Sequence, residues 1–181
     1  FKENPFANVY NNETREFSSF SYSVADNQST SSDNNDLLYN YTPGFVPGGT
    51  NLDKDGKLSI QMNHAFCMID IVVTLGTEFN VSGIPTTSPI TEVTLGGTKI
   101  DATVDVTNTN NIVTTSSTDA AKDITATPGA FTKPENDNKE KPCISRFSCI
   151  AIPQTVGKNT FKVSLKTAGK LYKWTSADPV K

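Results

Sequence analysis

From Ile69 to Leu75 the chain places Ile69, Ile71, Val73 and Leu75 at every second position, with Asp70, Val72 and Thr74 between them. Side chains alternate across a strand with a period of two. This run therefore puts an apolar row on one side of a sheet and a mixed row on the other. No helical period of 3.6 is sustained anywhere in the 181 residues. Ser, Thr and Asn fill roughly a third of the chain. Thr is β-branched and favours strands, while Asn and Ser favour turns. The pattern predicts many short strands separated by polar turns, and a solvent-facing, extracellular protein.

Phe20, Tyr22 and Val24 alternate with Ser within Phe17–Val24, which reads as a half-buried strand. Residues 25–35 are a Ser/Asn/Asp-rich loop, Leu37, Leu38, Tyr39 and Tyr41 a short apolar cluster, and 42–51 a Pro/Gly-rich connection. Lys57–Leu75 is expected to be the main core segment. Glu92–Leu95 and Lys99–Val106 flank Gly96-Gly97, a hairpin signal. Residues 108–141 are dominated by Thr, Asn, Asp, Lys and Pro, and are expected to be irregular apart from a short strand near Ile112–Thr115. Arg146–Ile152 and Thr160–Leu165 read as strands, and Leu171–Trp174 begins another. The fold class predicted is all-β, an antiparallel β-sandwich with Greek-key connections and few or no helices.

The charge of −3 gives no basic footprint for nucleic acid, which needs clustered Lys and Arg. The longest apolar stretch, around Ala65–Leu75, falls short of the roughly 18–20 residues of a membrane helix and contains Asp70. At this size a core forms without disulfides. The length suits one domain or one and a half. Phe1 is not an initiator Met and no signal peptide or lipobox is visible, so the chain is expected to be a processed product or an excised fragment.

His64 is the only histidine, so a multi-histidine metal site is excluded and a histidine base would stand alone. No G-x-S-x-G elbow presents a serine nucleophile. Of the three cysteines, Cys67 lies in the apolar strand pattern and reads as a small buried hydrophobe. It is three residues from His64, hence on the opposite side of a strand. Cys143 and Cys149 are near enough in sequence for local pairing, with no C-x-x-C motif. Asn51-Leu-Asp53-Lys-Asp55-Gly56 resembles the first half of a calcium loop, but Met62 stands where its bidentate Glu belongs, and a tight turn explains the same residues. Asn12, Asn27, Asn40 and Asn80 each begin an N-x-[ST] triplet. Tyr10, Phe45 and Trp174 are aromatics of the kind that bind sugars, though nothing in their spacing groups them. No catalytic, metal-binding or cofactor-binding residue is expected, and no enzyme activity.

Three motifs stand in order: Asp36-Leu37-Leu38-Tyr39, then Leu58 to Ala65 ending in His64-Ala65 ahead of the aliphatic strand and Leu95-Gly96-Gly97, then Ile152-Pro153-Gln154. In these the chain resembles the fimbrillin-like (Mfa-like) subunits of Bacteroides-type bacteria. Met62-Asn63-His64 stands where that family more often has Phe and a basic residue. The resemblance covers Phe17–Trp174 and implies a transthyretin-like sandwich with no catalytic residues. It further implies an exported lipoprotein precursor, a place on the outer membrane and in a fimbrium, and assembly with other subunits by β-strand exchange. The chain then looks like the second half of a longer subunit. Residues 1–36 would be a leading segment with one strand, and 37–181 a sandwich lacking its closing strand. A host glycan or protein is a further partner the resemblance allows. The other reading of the same sandwich is a surface module that binds carbohydrate or another ligand, which should display a contiguous aromatic platform.

Overall fold

The computed structural model describes residues 10–11, 13–14, 16–31, 35–40, 54–107, 112–115 and 119–181. Its regular structure is strand throughout, apart from 3-10 turns such as Thr77–Asn80 and Glu135–Asp137. The strands are β1 (Tyr10–Asn11), β2 (Glu16–Phe17), β3 (Phe20–Ser23), β4 (Leu38–Tyr39), β5 (Asn63–His64), β6 (Cys67–Thr74) and β7 (Ile90–Thr98). They continue as β8 (Asp101–Val104), β9 (Val113–Thr114), β10 (Lys122–Thr125), β11 (Thr127–Thr132), β12 (Ile144–Ala151), β13 (Lys162–Thr167) and β14 (Leu171–Thr175).

Two sheets face each other across the main core. One has the order β10-β7-β13-β14, the other β11-β12-β6, and every pairing in them is antiparallel. Several neighbours in them are not consecutive in sequence, the signature of Greek-key connections. Val93, Leu95 and Ile124 from the first sheet meet Phe147 and Cys149 from the second, with Ile69, Ile71 and Val73 packed against them. The period-two reading of β6 holds: Cys67, Ile69, Ile71 and Val73 are half-buried, and the residues between them are exposed. The fold is therefore an all-β antiparallel sandwich.

A second, smaller core lies on the other side of β12. Ile150 and Ile152 pack there with Val24, Leu37, Ala65, Phe66, Ala102 and Val104. The three-stranded sheet β3-β8-β9 and the pair β4-β5 cover it. From Cys149 to Ile152, the end of β12 and the residue after it, successive side chains alternate between the two cores, so this stretch is apolar without alternation. β3 is hydrogen-bonded along its length to β8, from Phe20 opposite Val104 to Ser23 opposite Asp101.

Three expectations are corrected. Gly96-Gly97 is not a hairpin turn: both residues lie inside β7, and β8 belongs to a different sheet. The pair forms a bulge, where Gly96 and Gly97 stand opposite the single residue Asp123 between the Leu95–Ile124 and Thr98–Lys122 pairs. Gly97 has φ +85°, and a Cβ there would sit 2.1 Å from the Thr160 carbonyl oxygen, so both backbone conformation and close approach require glycine. Lys57–Leu75 is core only in its second half, because Leu58, Ile60 and Met62 are exposed. Residues 108–141 are also less irregular than expected, since they supply β10 and β11 as well as β9 at Val113–Thr114.

Candidate functional site

The two margins of the sandwich differ, and the difference defines the site. At one margin β10 runs into β11 through the buried Ala126, so a single run of chain belongs to both sheets. The Ala126 amide donates to the Val93 carbonyl at 2.8 Å. Gln28 is buried across this corner. Its Nε2 donates to the carbonyls of Ala25 and Ile150 at 3.0 and 2.8 Å, and its Oε1 accepts from the Ile150 amide at 2.8 Å. The Gln28 amide donates to the Thr125 carbonyl at 2.9 Å, and Thr127 Oγ1 donates to the Gln28 carbonyl.

At the opposite margin the sheets end in β14 and β6, and among the described residues no strand is bonded to the outer edge of either. Every residue of β14 is exposed. The register places Trp174 opposite Val163 and Tyr172 opposite Leu165, on the core side of the sheet, yet they are 55 % and 42 % exposed. Trp174 meets Phe161 edge-on at 6.3 Å. Across the gap, the outward row of β6 shows Met68 and Val72 at 64 % and 50 % exposure. Between the two edges lies a cavity of about 220 Å³, lined chiefly by Val73, Leu75, Phe79, Ile90, Leu165 and Tyr172. Its lining is mostly apolar. An edge strand offers unpaired N–H and C=O groups, and here those groups border unfilled apolar space.

The three cysteines are free thiols. Cys143 and Cys149 do not pair: six residues of extended chain separate them by roughly 20 Å. Cys143 Sγ donates instead to Asn80 Oδ1 at 3.6 Å, and Cys67 Sγ donates to the Ala151 carbonyl at 3.2 Å. Burial, and then the neighbouring Cys67, push the Cys149 thiol up to about 12. Burial also pushes Cys67 up, against the lowering effect of its backbone hydrogen bonds. Neither is an activated nucleophile, because a nucleophilic thiol needs a lowered value.

The motifs of the sequence prove to be joints of the fold. Asp36 Oδ2 lies 2.7 Å from His64 Nδ1, so the Asp-Leu-Leu-Tyr motif grips the His-Ala motif beside the β4–β5 pairing. Burial, then the Asp36 carboxylate, push the Tyr22 phenol up. Gln154 of Ile-Pro-Gln clamps the link between β7 and β8: its Oε1 accepts from the Lys99 amide and its Nε2 donates to the Lys99 carbonyl, both at 2.9 Å. His64 and Cys67 are not brought together.

The remaining candidates are dispersed. Asn51 and Asp53 lie outside the described residues, and Lys54-Asp55 form a turn closed by Gly56 at φ +80°. Asn80 is 1 % exposed and donates to the carbonyls of Lys139 and Lys141, so its side-chain amide is buried although Val81 and Ser82 of the same triplet are exposed. Asn27 and Asn40 are exposed, and Asn12 lies outside the described residues. Tyr10 meets Phe17 at 4.9 Å with the rings tilted by 51° in the small β1-β2 pair, a different sheet from that of Trp174, and Phe45 lies outside the described residues. Among the described residues no group of three or more His, Cys, Asp or Glu could hold a metal ion, and no helix is long and apolar enough to cross a membrane. The resemblance implied a sandwich lacking a strand, but the residues did not locate the open seam between β6 and β14, because no single segment encodes it. The one available signal was Tyr172 and Trp174 alternating with Lys173 near the end of the chain.

No curated protein and no solved structure matches the chain. The fimbrillin-like family model matches residues 3–181, which spans both cores and both sheet edges. That family is structural and supplies subunits of surface fimbriae that assemble with one another. The chain belongs to the fimbrillin-like family.

Proposed function

We propose that the chain is a fimbrial subunit that assembles by β-strand addition, and that the seam between β6 and β14 receives the incoming strand. The observation that carries this reading is the apolar cavity of about 220 Å³ between two unpaired strand edges. An added strand gives the edge its missing hydrogen bonds and lowers alternate side chains into the space behind it. Burying three or four large apolar side chains gains on the order of 5–10 kcal/mol, at roughly 1.5–3 each. Whole-domain stability is about 5–15 kcal/mol, so an added strand can dominate the stability of the assembled subunit. The sandwich over 37–181 is then one strand short until a neighbour supplies it. On this reading the precursor is a lipoprotein carried to the outer membrane, and the assembled subunit is displayed on the cell surface. A ligand-binding module would need an aromatic platform; Tyr10 and Trp174 stand in different sheets, each paired with another ring, Phe17 and Phe161, which lends that reading no support.

Trp174 is the only tryptophan, so its fluorescence reports on the seam directly. A synthetic strand with apolar residues at alternate positions should shift its emission to the blue and bind saturably. Tyr172→Asp places a charge in the cavity lining and should abolish binding while leaving the far-ultraviolet circular dichroism unchanged. Binding that survives Tyr172→Asp at full strength overturns the assignment of the seam.

A further inference from the structure

We infer that the incoming strand extends the sheet at β14 rather than at β6, and that it carries acidic residues on its outward row. The inference rests on the strand-addition reading above and concerns which edge is used and what chemistry it selects.

The β13–β14 hairpin, residues 162–175, holds four lysines and no acidic residue, in a chain whose net charge is −3. The register sorts them. Thr175 stands opposite Lys162, Lys173 opposite Ser164 and Leu171 opposite Lys166, all on the face away from the core. The acids on that face lie inboard. Glu92 of β7 is the cross-strand partner of Lys166, and the Asp123 carboxylate sits over Gly96 beside Lys162. Lys173, on the edge strand itself, has only the neutral Ser164 across from it on the inboard side. Lys170 is exposed at the turn that leads into β14. Among the described residues neither edge lysine is engaged in an ion pair.

The other edge has the opposite character. The outward row of β6 itself is Met68, Asp70, Val72 and Thr74, whose one charge is Asp70, across from Ser148; the exposed Arg146 lies inboard on β12, across from Val72. Opposite charges on directly facing residues stabilise a strand pair and like charges oppose it. An addition at β14 therefore favours acids, and an addition at β6 favours bases. Two further features select β14. Tyr172 and Trp174 on its core side are left partly uncovered, and Tyr172 itself lines the cavity. A strand laid along β14 covers both rings with its inward row and sets its outward row beside Lys173. Lysine on an edge strand also discourages indiscriminate pairing, so the same residue admits an acidic strand and repels others.

The test uses the whole chain and three labelled peptides with Val at alternate positions and Glu, Thr or Lys between them. Affinity is read by fluorescence anisotropy and by the Trp174 emission. The expected order is Glu, then Thr, then Lys, with each well-placed acid worth roughly two- to fivefold, and the spread shrinking at high salt. Lys173→Glu should reverse that order without changing the fold. If the Lys peptide binds tightest to the unaltered chain, the extended edge is β6, and the inference falls while strand addition stands. Equal affinities for all three peptides likewise overturn the charge selection alone. If no peptide binds or shifts the emission, both the inference and the strand-acceptor reading fail.

Discussion

At one margin of the sandwich a single run of chain, β10 into β11, joins both sheets. At the other, β14 and β6 end with nothing bonded to their outer edges among the described residues. The closed margin hides Ile124 and Ala126 completely and satisfies its backbone through Gln28. The open margin leaves Tyr172, Trp174, Met68 and Val72 in water. The chain has ample Ser, Thr and Asn with which to cover an edge, so apolar exposure at this margin is a local property rather than a consequence of composition. Large exposed apolar patches on soluble proteins mark interaction surfaces. The closed margin holds the subunit together, and the open one is the margin to which the proposed strand would add.

The largest expected effect on stability lies at the closed margin. Ile124 is fully buried on the strand that makes the corner. Ile124→Ala should cost about 2–5 kcal/mol, read as a lower urea midpoint with an unchanged slope. A cost as small as that of a substitution on β14 would erase the distinction between the margins. Gln28→Leu keeps the volume but strands the amide and carbonyl of Ile150 in the interior. Each stranded group costs about 1–3 kcal/mol. Amide hydrogen exchange at Ile150 should accelerate, while exchange in β14 stays as it was.

Alkali sharpens the contrast from a different direction. The folded chain keeps a proton on Cys149 up to about 12, whereas the unfolded chain releases it near 9. Raising the pH through that window therefore favours unfolding, and the stability present below it is lost. Urea midpoints at about pH 8 and about pH 10.5 should show the advantage of the wild type over Cys149→Ala shrinking with pH. At about pH 8 a soluble thiol reagent should label the half-buried Cys67 of β6 before the buried Cys149 and Cys143. Equal rates at all three would mean that the interior opens as readily as the edge.

Much of the fold was legible because it rests on local patterns. The alternation of β6 followed from period two, and the short apolar and β-branched runs at Arg146–Ile152 and Thr160–Leu165 read as the strands found at Ile144–Ala151 and Lys162–Thr167. The failures share a physical cause. Gly96-Gly97 has the composition of a turn, but its role depends on Thr160, a residue 63 positions away from Gly97. β10 carries a single buried apolar residue, Ile124, in a polar segment, and it is a strand because β7 pairs with it. Leu58, Ile60 and Met62 alternate well, yet they are not covered by either core. The seam was the least legible feature, because it is a relation between β6 and β14, about a hundred residues apart in sequence. Gln154 was visible as part of a motif, but its grip on Lys99 was not.

The smallest expected effect on stability accompanies the sharpest expected effect on function. Trp174 is more than half exposed and its aromatic contact is Phe161. Trp174→Ala should cost about 1 kcal/mol or less, the worth of one edge-on aromatic contact and partial burial. The same substitution removes the larger of the two rings that an added strand would cover, so strand binding should weaken far more than the fold. Calorimetric binding of the acidic strand peptide, set beside the urea midpoint of the same variant, separates the two quantities. If stability and binding fall in proportion, Trp174 belongs to the body of the sandwich and the open margin is merely a worn edge of the core. If binding falls while the midpoint holds, the exposure of β14 is a surface reserved for a partner, and the two margins serve different ends.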